Sequence, residues 1–236
     1  MKGVILAAGK GTRLKPLTLE MPKPLIPVNG KSVLTWLIGW MLKYNVNDFH
    51  IIINKDHADK FRKWAQNNEY RREISVNLFI EDEPTGTLNP ILNEIPYNWL
   101  YEAEDFVVSN GDELKEFDLS EMIKYHTSLS NSVITVGLHE EDSPYPYGQM
   151  TSRKDGSLSG YYRANKLVSK WCDSGIYVMN KSVLNYRSLF NKKVIMNEDL
   201  FHILMNENKI YGYKFKGRWF DTGTFKRWEN AINNWK

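Results

Sequence analysis

Two periods of apolar residues alternate along the first half of the chain. Residues 4–8 form an unbroken apolar run that stops at Gly9, the pattern of a strand buried on both faces. Ser32 is suited to cap a helix that carries Leu34, Leu37, Ile38, Met41 and Leu42 on one face. Residues 49–53 read as a second buried strand. Residues 57–66 read as a helix with Phe61, Trp64 and Ala65 inward, and 74–80 alternate as a third strand. A fourth strand over 106–108 ends at Ser109-Asn110-Gly111-Asp112, and a helix over 119–129 and a fifth strand over 133–138 follow. This order predicts an α/β fold, a mostly parallel central sheet with helices on both faces. Ligands of such sheets bind beyond the carboxyl ends of the strands. Chemistry is therefore expected in the loops near Gly9 and Asp112.

The second half is less regular. Residues 145–162 predict a hairpin with Asp155-Gly156 at its turn. Strands are expected over 171–179 and 210–215, and a helix over 196–206. A closing helix over 224–235 would carry Phe225, Trp228, Ile232 and Trp235 on one side. No repeat, low-complexity stretch or linker interrupts the chain, so a single domain over residues 1–236 is expected. No hexapeptide-repeat tail follows the last helix, and no attached β-helix domain is expected.

Composition narrows the classes of function. Of 236 residues, 42% are apolar and 25% charged, enough for a full core in a soluble globular protein. A formal net charge of +3, with the signs interspersed, supplies no basic stripe for nucleic acid and suits a small anionic substrate. The single cysteine, Cys172, excludes an intramolecular disulfide and a cysteine-based metal cluster. No window approaches the roughly 20 apolar residues of a membrane span, and the N-terminal run does not resemble a secretory signal. A cytoplasmic protein with no nucleic-acid or membrane partner is expected; a homo-oligomer stays open. The tryptophans, such as Trp36 and Trp40 or Trp228 and Trp235, sit mostly at helical spacing, which favours packing over sugar stacking.

The most informative segment runs Leu6-Ala-Ala-Gly-Lys-Gly-Thr-Arg-Leu14 and continues through Pro16-Leu-Thr18 to Pro22-Lys-Pro-Leu-Ile-Pro-Val28. Gly9 and Gly11 let backbone N–H groups approach a phosphate closely. Lys10, Arg13 and Lys23 bring cations to the same place, where they can stabilise charge on a transferring phosphoryl group. The spacing lacks the Gly-Lys-Ser/Thr of a Walker A loop. It is not a dinucleotide fingerprint either, because Leu14 stands where a third glycine is needed and Asn54-Lys55 follow the second strand in place of an acidic residue.

This run, Ala8-Gly-Lys-Gly-Thr-Arg-Leu with Pro22-Lys-Pro-Leu-Ile-Pro-Val, resembles the signature of the sugar-1-phosphate nucleotidylyltransferases. The length and the second part of the run most resemble the short members that act on mannose, heptose or N-acetylmuramate 1-phosphate. The resemblance implies a Rossmann-like, glycosyltransferase-A-like nucleotide-binding fold. It also implies that an NTP and a sugar 1-phosphate give an NDP-sugar and pyrophosphate, with Mg²⁺. The nucleotide half would lie in residues 1–138 and the sugar-phosphate half in 139–236. By the same resemblance Leu6, Ala8, Gly9, Gly11 and Thr12 hold the nucleotide, Arg13 contacts the triphosphate, and Lys23 neutralises phosphate during transfer. Arg13 and Lys23 would be the catalytic cations.

Asp112, after Asn110-Gly111, and Asp221, in Arg218-Trp-Phe-Asp-Thr-Gly-Thr224, resemble the family's metal-binding aspartates, and Asp112 also borders the nucleotide. Read alone, each is an ordinary turn signal; together they are two carboxylates at strand ends that could meet across the sheet. Glu81-Asp-Glu-Pro-Thr-Gly-Thr87 resembles the segment beside the nucleobase, which makes Glu81, Gly86 and Thr87 nucleotide contacts; Thr87 also reads as a helix cap with Pro90 in the first turn. Leu88-Asn89-Pro90 replaces the small residues usual there. Tyr147-Gly148 and Asp173-Ser-Gly-Ile-Tyr177 resemble sugar-side segments, with Asp173 where an asparagine is usual. Asn165-Lys166 stands for a Glu-Lys pair, and Lys166 would hold the sugar phosphate. The changes at Asn165 and Asp173 point to an altered sugar, and the resemblance to the short members implies a guanylyl or uridylyl donor. Two other readings stay open: a cytidylyltransferase acting on phosphocholine or a phosphonate, and a non-catalytic nucleotide sensor.

Overall fold

The computed structural model of the chain describes residues 1–190 and 193–236. In chain order, β1 (Lys2–Ala7) leads into two single turns with the short helix α1 (Leu17–Glu20) between them. The ribbon β2 (Pro27–Val28) and β3 (Lys31–Ser32) precedes α2 (Val33–Leu42), and β4 (Asp48–Asn54), α3 (Ala58–Asn67) and β5 (Ser75–Glu81) follow. Next come α4 (Tyr97–Tyr101), β6 (Asp105–Asn110), β7 (Glu113–Glu116), α5 (Leu119–Ser128) and β8 (Ile134–Glu140). The last third holds β9 (Gln149–Ser152), β10 (Leu158–Tyr162), β11 (Trp171–Asn180), α6 (Phe201–Asn206), β12 (Ile210–Lys214), β13 (Arg218–Asp221) and α7 (Phe225–Asn234). Strands and helices largely alternate through the first half of the chain, whereas β8 to β11 follow one another with no helix between them.

These elements form two compact units. The first comprises Met1–Pro84, Ser109–Glu116 and Arg218–Lys236; the second comprises Thr85–Val108 and Phe117–Gly217.

In the first unit β4 pairs in parallel with β1 on one side and with β5 on the other. Ala7 lies opposite Ile53, and Asn54 opposite Glu81, so the three carboxyl ends lie side by side. The apolar runs explain the arrangement: Val4, Ile5, Ile51, Ile52 and Ile53 are all buried, as in a sheet covered on both faces. Ser32 caps α2 as expected, its hydroxyl accepting from the Thr35 N–H at 3.1 Å. Leu34, Leu37, Ile38 and Met41 are fully buried and Leu42 is half-buried.

A second small core lies under α7, where Val28, Val33, Leu114, Ala231 and Trp235 are buried with Trp36, Phe220 and Trp228 against them. Trp36 and Phe220 both meet Trp235 edge to face at 6.0 Å. The inward face of α7 differs from expectation. Phe225 and Ile232 are exposed, and Ala231 is the buried centre of the face. A helical surface carries positions 228, 231 and 235 together, and the small side chain at 231 lets the helix lie close. Thr224 caps α7, accepting from the Arg227 N–H at 3.3 Å.

In the second unit β8 pairs antiparallel with β11 and parallel with β12; β11 touches β9 at Cys172 and Gln149, and β9 pairs with β10. The β9–β10 hairpin turns at Asp155-Gly156 as read from the sequence; Gly156 has φ of 86° and the Asp155 carboxylate accepts from the Ser157 N–H at 3.0 Å. The helix expected over 196–206 begins as one widened turn, Met196–Leu200, in which the Phe201 N–H reaches the Met196 carbonyl, and becomes regular only in α6.

Candidate active site

The glycine-rich loop leaves β1 at the carboxyl edge of the first unit's sheet. Gly11 adopts a left-handed conformation (φ 59°, ψ 31°), which turns the chain into the Thr12–Leu14 turn. Its carbonyl accepts from the Thr18 hydroxyl at 2.9 Å, and the buried Thr18 so closes the loop on itself. Gly9 has a different character: a Cβ there would meet no atom within 4 Å. The space over Gly9 is open just past the carboxyl end of β1, which leaves its backbone room to receive a phosphate. Leu6 is half-buried, Ala8 is buried, and Thr12 and Arg13 are exposed.

Asp112 and Asp221 are brought together by a route the sequence did not suggest. They do not meet across the main sheet. A separate antiparallel ladder joins β7 to β13, with Glu113 opposite Asp221, Leu114 opposite Phe220 and Lys115 opposite Trp219. Just beyond the ladder, the Asp112 carbonyl accepts from the Thr222 hydroxyl at 2.8 Å and from its N–H at 3.3 Å. Gly111 makes the preceding turn tight: its N–H donates to the Leu6 carbonyl at 2.9 Å, and a Cβ would crowd Ile5 and that carbonyl.

The Lys23 ammonium lies between the two carboxylates. It donates to Asp112 Oδ2 and stands 3.7 Å from Asp221 Oδ1. Burial alone would lower its pKa, but Asp112 and Asp221 outweigh burial and hold it above the ordinary lysine value. Burial likewise pushes Asp112 up, and the Lys23 charge overcomes it, leaving the carboxyl below its ordinary range. Asp221 is also held by the Gly223 N–H and by Arg227 Nη1, each at 2.5 Å. Gly223 marks the focus of these charges. A Cβ there would lie 2.7 Å from Asp221 Oδ1 and 3.1 Å from both Arg13 Nη2 and Lys23 Nζ. The sequence reading singled out neither Gly223 nor Arg227.

Behind the aspartates sits a buried polar group that the sequence reading also passed over. Glu113 accepts from Asn110 Nδ2 at 2.8 Å, Lys115 Nζ at 2.9 Å and Trp219 Nε1 at 2.9 Å. Burial, with Asp112 and Asp221 adding to it, pushes the Glu113 carboxyl up to about 7 against the pull of Lys115.

Among the described residues no group of three or more His, Cys, Asp or Glu could hold a metal ion. Asp112 and Asp221 form a smaller set, two hard oxygen donors converging on one cation, the Lys23 ammonium. Mg²⁺ is commonly held by one or two carboxylates plus substrate phosphates, and this donor set fits that requirement. Glu81 closes β5, buried and opposite Asn54.

In the second unit, Gly86 has φ of 104°, and a Cβ there would overlap the Val194 carbonyl. Its backbone neighbours bind the same residue: Val194 N–H donates to Thr85 O at 2.9 Å and Leu88 N–H to Val194 O at 3.1 Å. Thr87 does not cap a helix of its own. Its hydroxyl accepts from the Met196 N–H at 2.9 Å, so it serves the turn at 196–200. Gly148 leaves room for the Tyr161 ring, and its carbonyl accepts from the Asp173 N–H at 2.8 Å. Asp173 accepts from the Gly175 N–H at 2.9 Å and the Tyr177 hydroxyl at 3.0 Å. The Tyr161 hydroxyl accepts from Arg163 Nε at 2.8 Å and Asn197 Nδ2 at 2.7 Å; burial and then the Asp173 charge push this phenol up to about 12. Tyr147 is half-buried, and Lys166 is exposed on the loop between β10 and β11. Gly148 and Asp173 are thus in direct contact.

The chain is similar to known proteins. The mannose-1-phosphate guanylyltransferase catalytic subunit beta of Xenopus tropicalis is 29% identical over 227 residues, covering 94% of this chain. The chain spans only 61% of that relative's length. A Bacillus anthracis protein provisionally assigned as a glucose-1-phosphate thymidylyltransferase, solved with sucrose, superposes with a TM-score of 0.87 at 20% identity, covering 99% of this chain and 94% of its own. HddC from Yersinia pseudotuberculosis gives 0.83 at 24% identity, covering 100% of this chain and 99% of its own, and it has also been solved with GMP-PN. The fold is therefore the α/β fold with a mostly parallel central sheet that these nucleotidyltransferases share. The family model for nucleotidyl transferases matches residues 2–236, and this chain belongs to that family.

Proposed function

We propose that the chain transfers a nucleotidyl group from an NTP to a sugar 1-phosphate, releasing pyrophosphate. One observation carries the reading: two cations, Arg13 and Lys23, and two carboxylates, Asp112 and Asp221, converge beside Gly223 next to the open glycine loop. In the reaction a phosphate oxygen of the sugar 1-phosphate attacks the α-phosphorus. The bond from that phosphorus to the α–β bridging oxygen breaks, and pyrophosphate leaves with the electron pair. The attacking oxygen is already ionised, so no general base is required, and catalysis is positioning plus charge neutralisation. Arg13 and Lys23 offset the negative charge of the phosphates. Gly9, Gly11 and Thr12 offer backbone N–H groups to the phosphates, with Leu6 and Ala8 shaping the floor. Asp112 and Asp221 would hold Mg²⁺, which when bound draws charge off the phosphate oxygens.

Glu81, Gly86 and Thr87 are assigned to the nucleoside. Tyr147, Gly148, Lys166 and Asp173 are assigned to the sugar phosphate. The Xenopus tropicalis relative, a mannose-1-phosphate guanylyltransferase subunit, supports a guanosine donor and a hexose 1-phosphate acceptor. No helix among the described residues is long and apolar enough to cross a membrane. The one cysteine, a buried free thiol, supports a cytoplasmic setting.

The test is pyrophosphate release with Mg²⁺, for five NTPs against mannose, glucose and heptose 1-phosphates and phosphocholine. Release that needs both GTP and a sugar 1-phosphate is expected. Release with CTP and phosphocholine alone would replace this reading with the cytidylyltransferase one.

A further inference from the structure

Gln149 opens β9 and is fully buried. Its side-chain amide is spent on one loop. Nε2 donates to the Ala164 carbonyl at 2.9 Å and the Lys166 carbonyl at 3.0 Å. Oε1 accepts from the Val168 N–H at 2.7 Å and the Ser169 N–H at 3.1 Å. Two donors and two acceptor sites are the whole capacity of a primary amide.

The ends of the loop are tied elsewhere: Arg163 donates to the Tyr161 hydroxyl, and the Lys170 carbonyl accepts from the Glu141 N–H while its ammonium pairs with Asp142. Residues 163–170 belong to no helix or strand, and the apolar side chains within it, Leu167 and Val168, are 60% and 37% exposed. Apolar burial therefore does not hold it in place. In the middle of the loop the carbonyls of Ala164 and Lys166 and the N–H groups of Val168 and Ser169, which a ladder would pair, are paired by this single side chain. Lys166 is at the centre of the clipped segment. Gly148, next to Gln149 in sequence, accepts from Asp173, and Cys172 is Gln149's register partner on β11. One buried amide so links the loop of Lys166 to the backbone that carries Gly148 and Asp173.

We propose that Gln149 is a positioning residue for the acceptor: it holds the Lys166 loop at a fixed place relative to Gly148 and Asp173, so that the sugar 1-phosphate meets a preset ammonium. This rests on the assignment of Lys166 to the sugar phosphate. Other side chains cannot do the same job. Glutamate lacks the two donors, methionine lacks donors and acceptor, and asparagine is one methylene short.

Two measurements on the full chain test the role. In hydrogen exchange, Gln149→Met is expected to strip protection from the amides of Val168 and Ser169 while the rest of β9 and β11 keeps theirs; unchanged protection overturns the clip. In steady-state kinetics with GTP and the sugar 1-phosphate that wild type turns over, Q149M is expected to raise the acceptor KM about tenfold and leave the GTP KM within about twofold. In a Lys166→Ala background it should add nothing further, because both changes remove one interaction. Equal rises in both KM values, or effects that multiply, overturn the positioning role. A wild-type chain that turns over no sugar phosphate sinks the functional reading and this role with it, while the exchange result still reports the clip. Should Q149M fail to fold, Gln149→Asn keeps a polar side chain in the buried position and carries the same expectations.

Discussion

Asp221 stands directly opposite Glu113 in the β7–β13 ladder, two carboxylates at a pairing position where like charges repel. Lys23, Lys115 and Arg227 surround the pair and offset that repulsion. The site is thus a balanced group of buried charges, in which removing one exposes the others.

The balance has a pH signature. Glu113 titrates near 7 in the folded chain, against an ordinary 4.5. Between these values the folded state keeps a proton that the unfolded chain has lost, so this contribution to stability is largest at low pH and disappears as pH rises through 7. Asp112 acts in the opposite sense: its depressed pKa stabilises above the carboxylate range and is lost as pH falls through the folded value. Urea unfolding from roughly pH 5 to 8 should show wild type losing about 1–3 kcal/mol more than Glu113→Gln. Parallel curves would show that Glu113 does not carry the titration.

Asp112→Asn should fold, because its links to Thr222 run through its main-chain carbonyl. Turnover should fall by about 10²-fold or more, since a neutral amide holds a cation far more weakly than a carboxylate and forms no ion pair with Lys23. Circular dichroism and pyrophosphate release read the two halves of this expectation. Wild-type turnover in D112N would remove the metal assignment.

Gly223→Ala places a methyl 2.7 Å from Asp221 Oδ1 and 3.1 Å from the Arg13 and Lys23 nitrogens. The cations can shift because they end flexible side chains, so the fold should tolerate the change. The reaction should not: a loss of about tenfold or more in kcat is expected, with a melting temperature within a few degrees of wild type. An unchanged kcat would show that the focus of charge beside Gly223 is not where transfer occurs.

Gly86→Ala tests a backbone requirement. The residue has φ of 104° and faces the Val194 carbonyl, which cannot step aside as a side chain can. A loss of about 2–4 kcal/mol in chemical denaturation is expected. A stability loss under about 1 kcal/mol would mean that the Thr85–Leu88 segment adapts.

Where apolar periodicity was strong, the fold was legible. β1, β4 and α2 follow from Val4–Ile5, Ile51–Ile53 and the Leu34–Met41 stripe, because each buries a continuous apolar surface. The glycine loop was legible from glycines flanked by cations. The β7–β13 ladder was not. Its strands are four residues each, and the first reads Glu-Leu-Lys-Glu, which a period-two pattern treats as a solvated turn. Glu113 and Lys115 are buried there only because they pair with each other, with Trp219 and Asn110 completing the bonds. That pairing is tertiary, and no local pattern announces it. Gln149 escaped for the same reason: its four partners lie 15 to 20 residues away. The turn that made Asp221 look ordinary gave no sign that Arg227, six residues on, would hold it.

The first unit draws on three separated stretches of chain, and the third, from Arg218 onward, supplies β13, Asp221, Gly223 and Arg227. A ribosome makes that stretch after all the others. A nascent chain that has completed the glycine loop, Lys23 and Asp112 still lacks the strand that pairs with β7, and Glu113 and Lys115 have no Trp219 to close over them. The charge cluster therefore cannot assemble until the β13 segment has been made and has folded back onto β7.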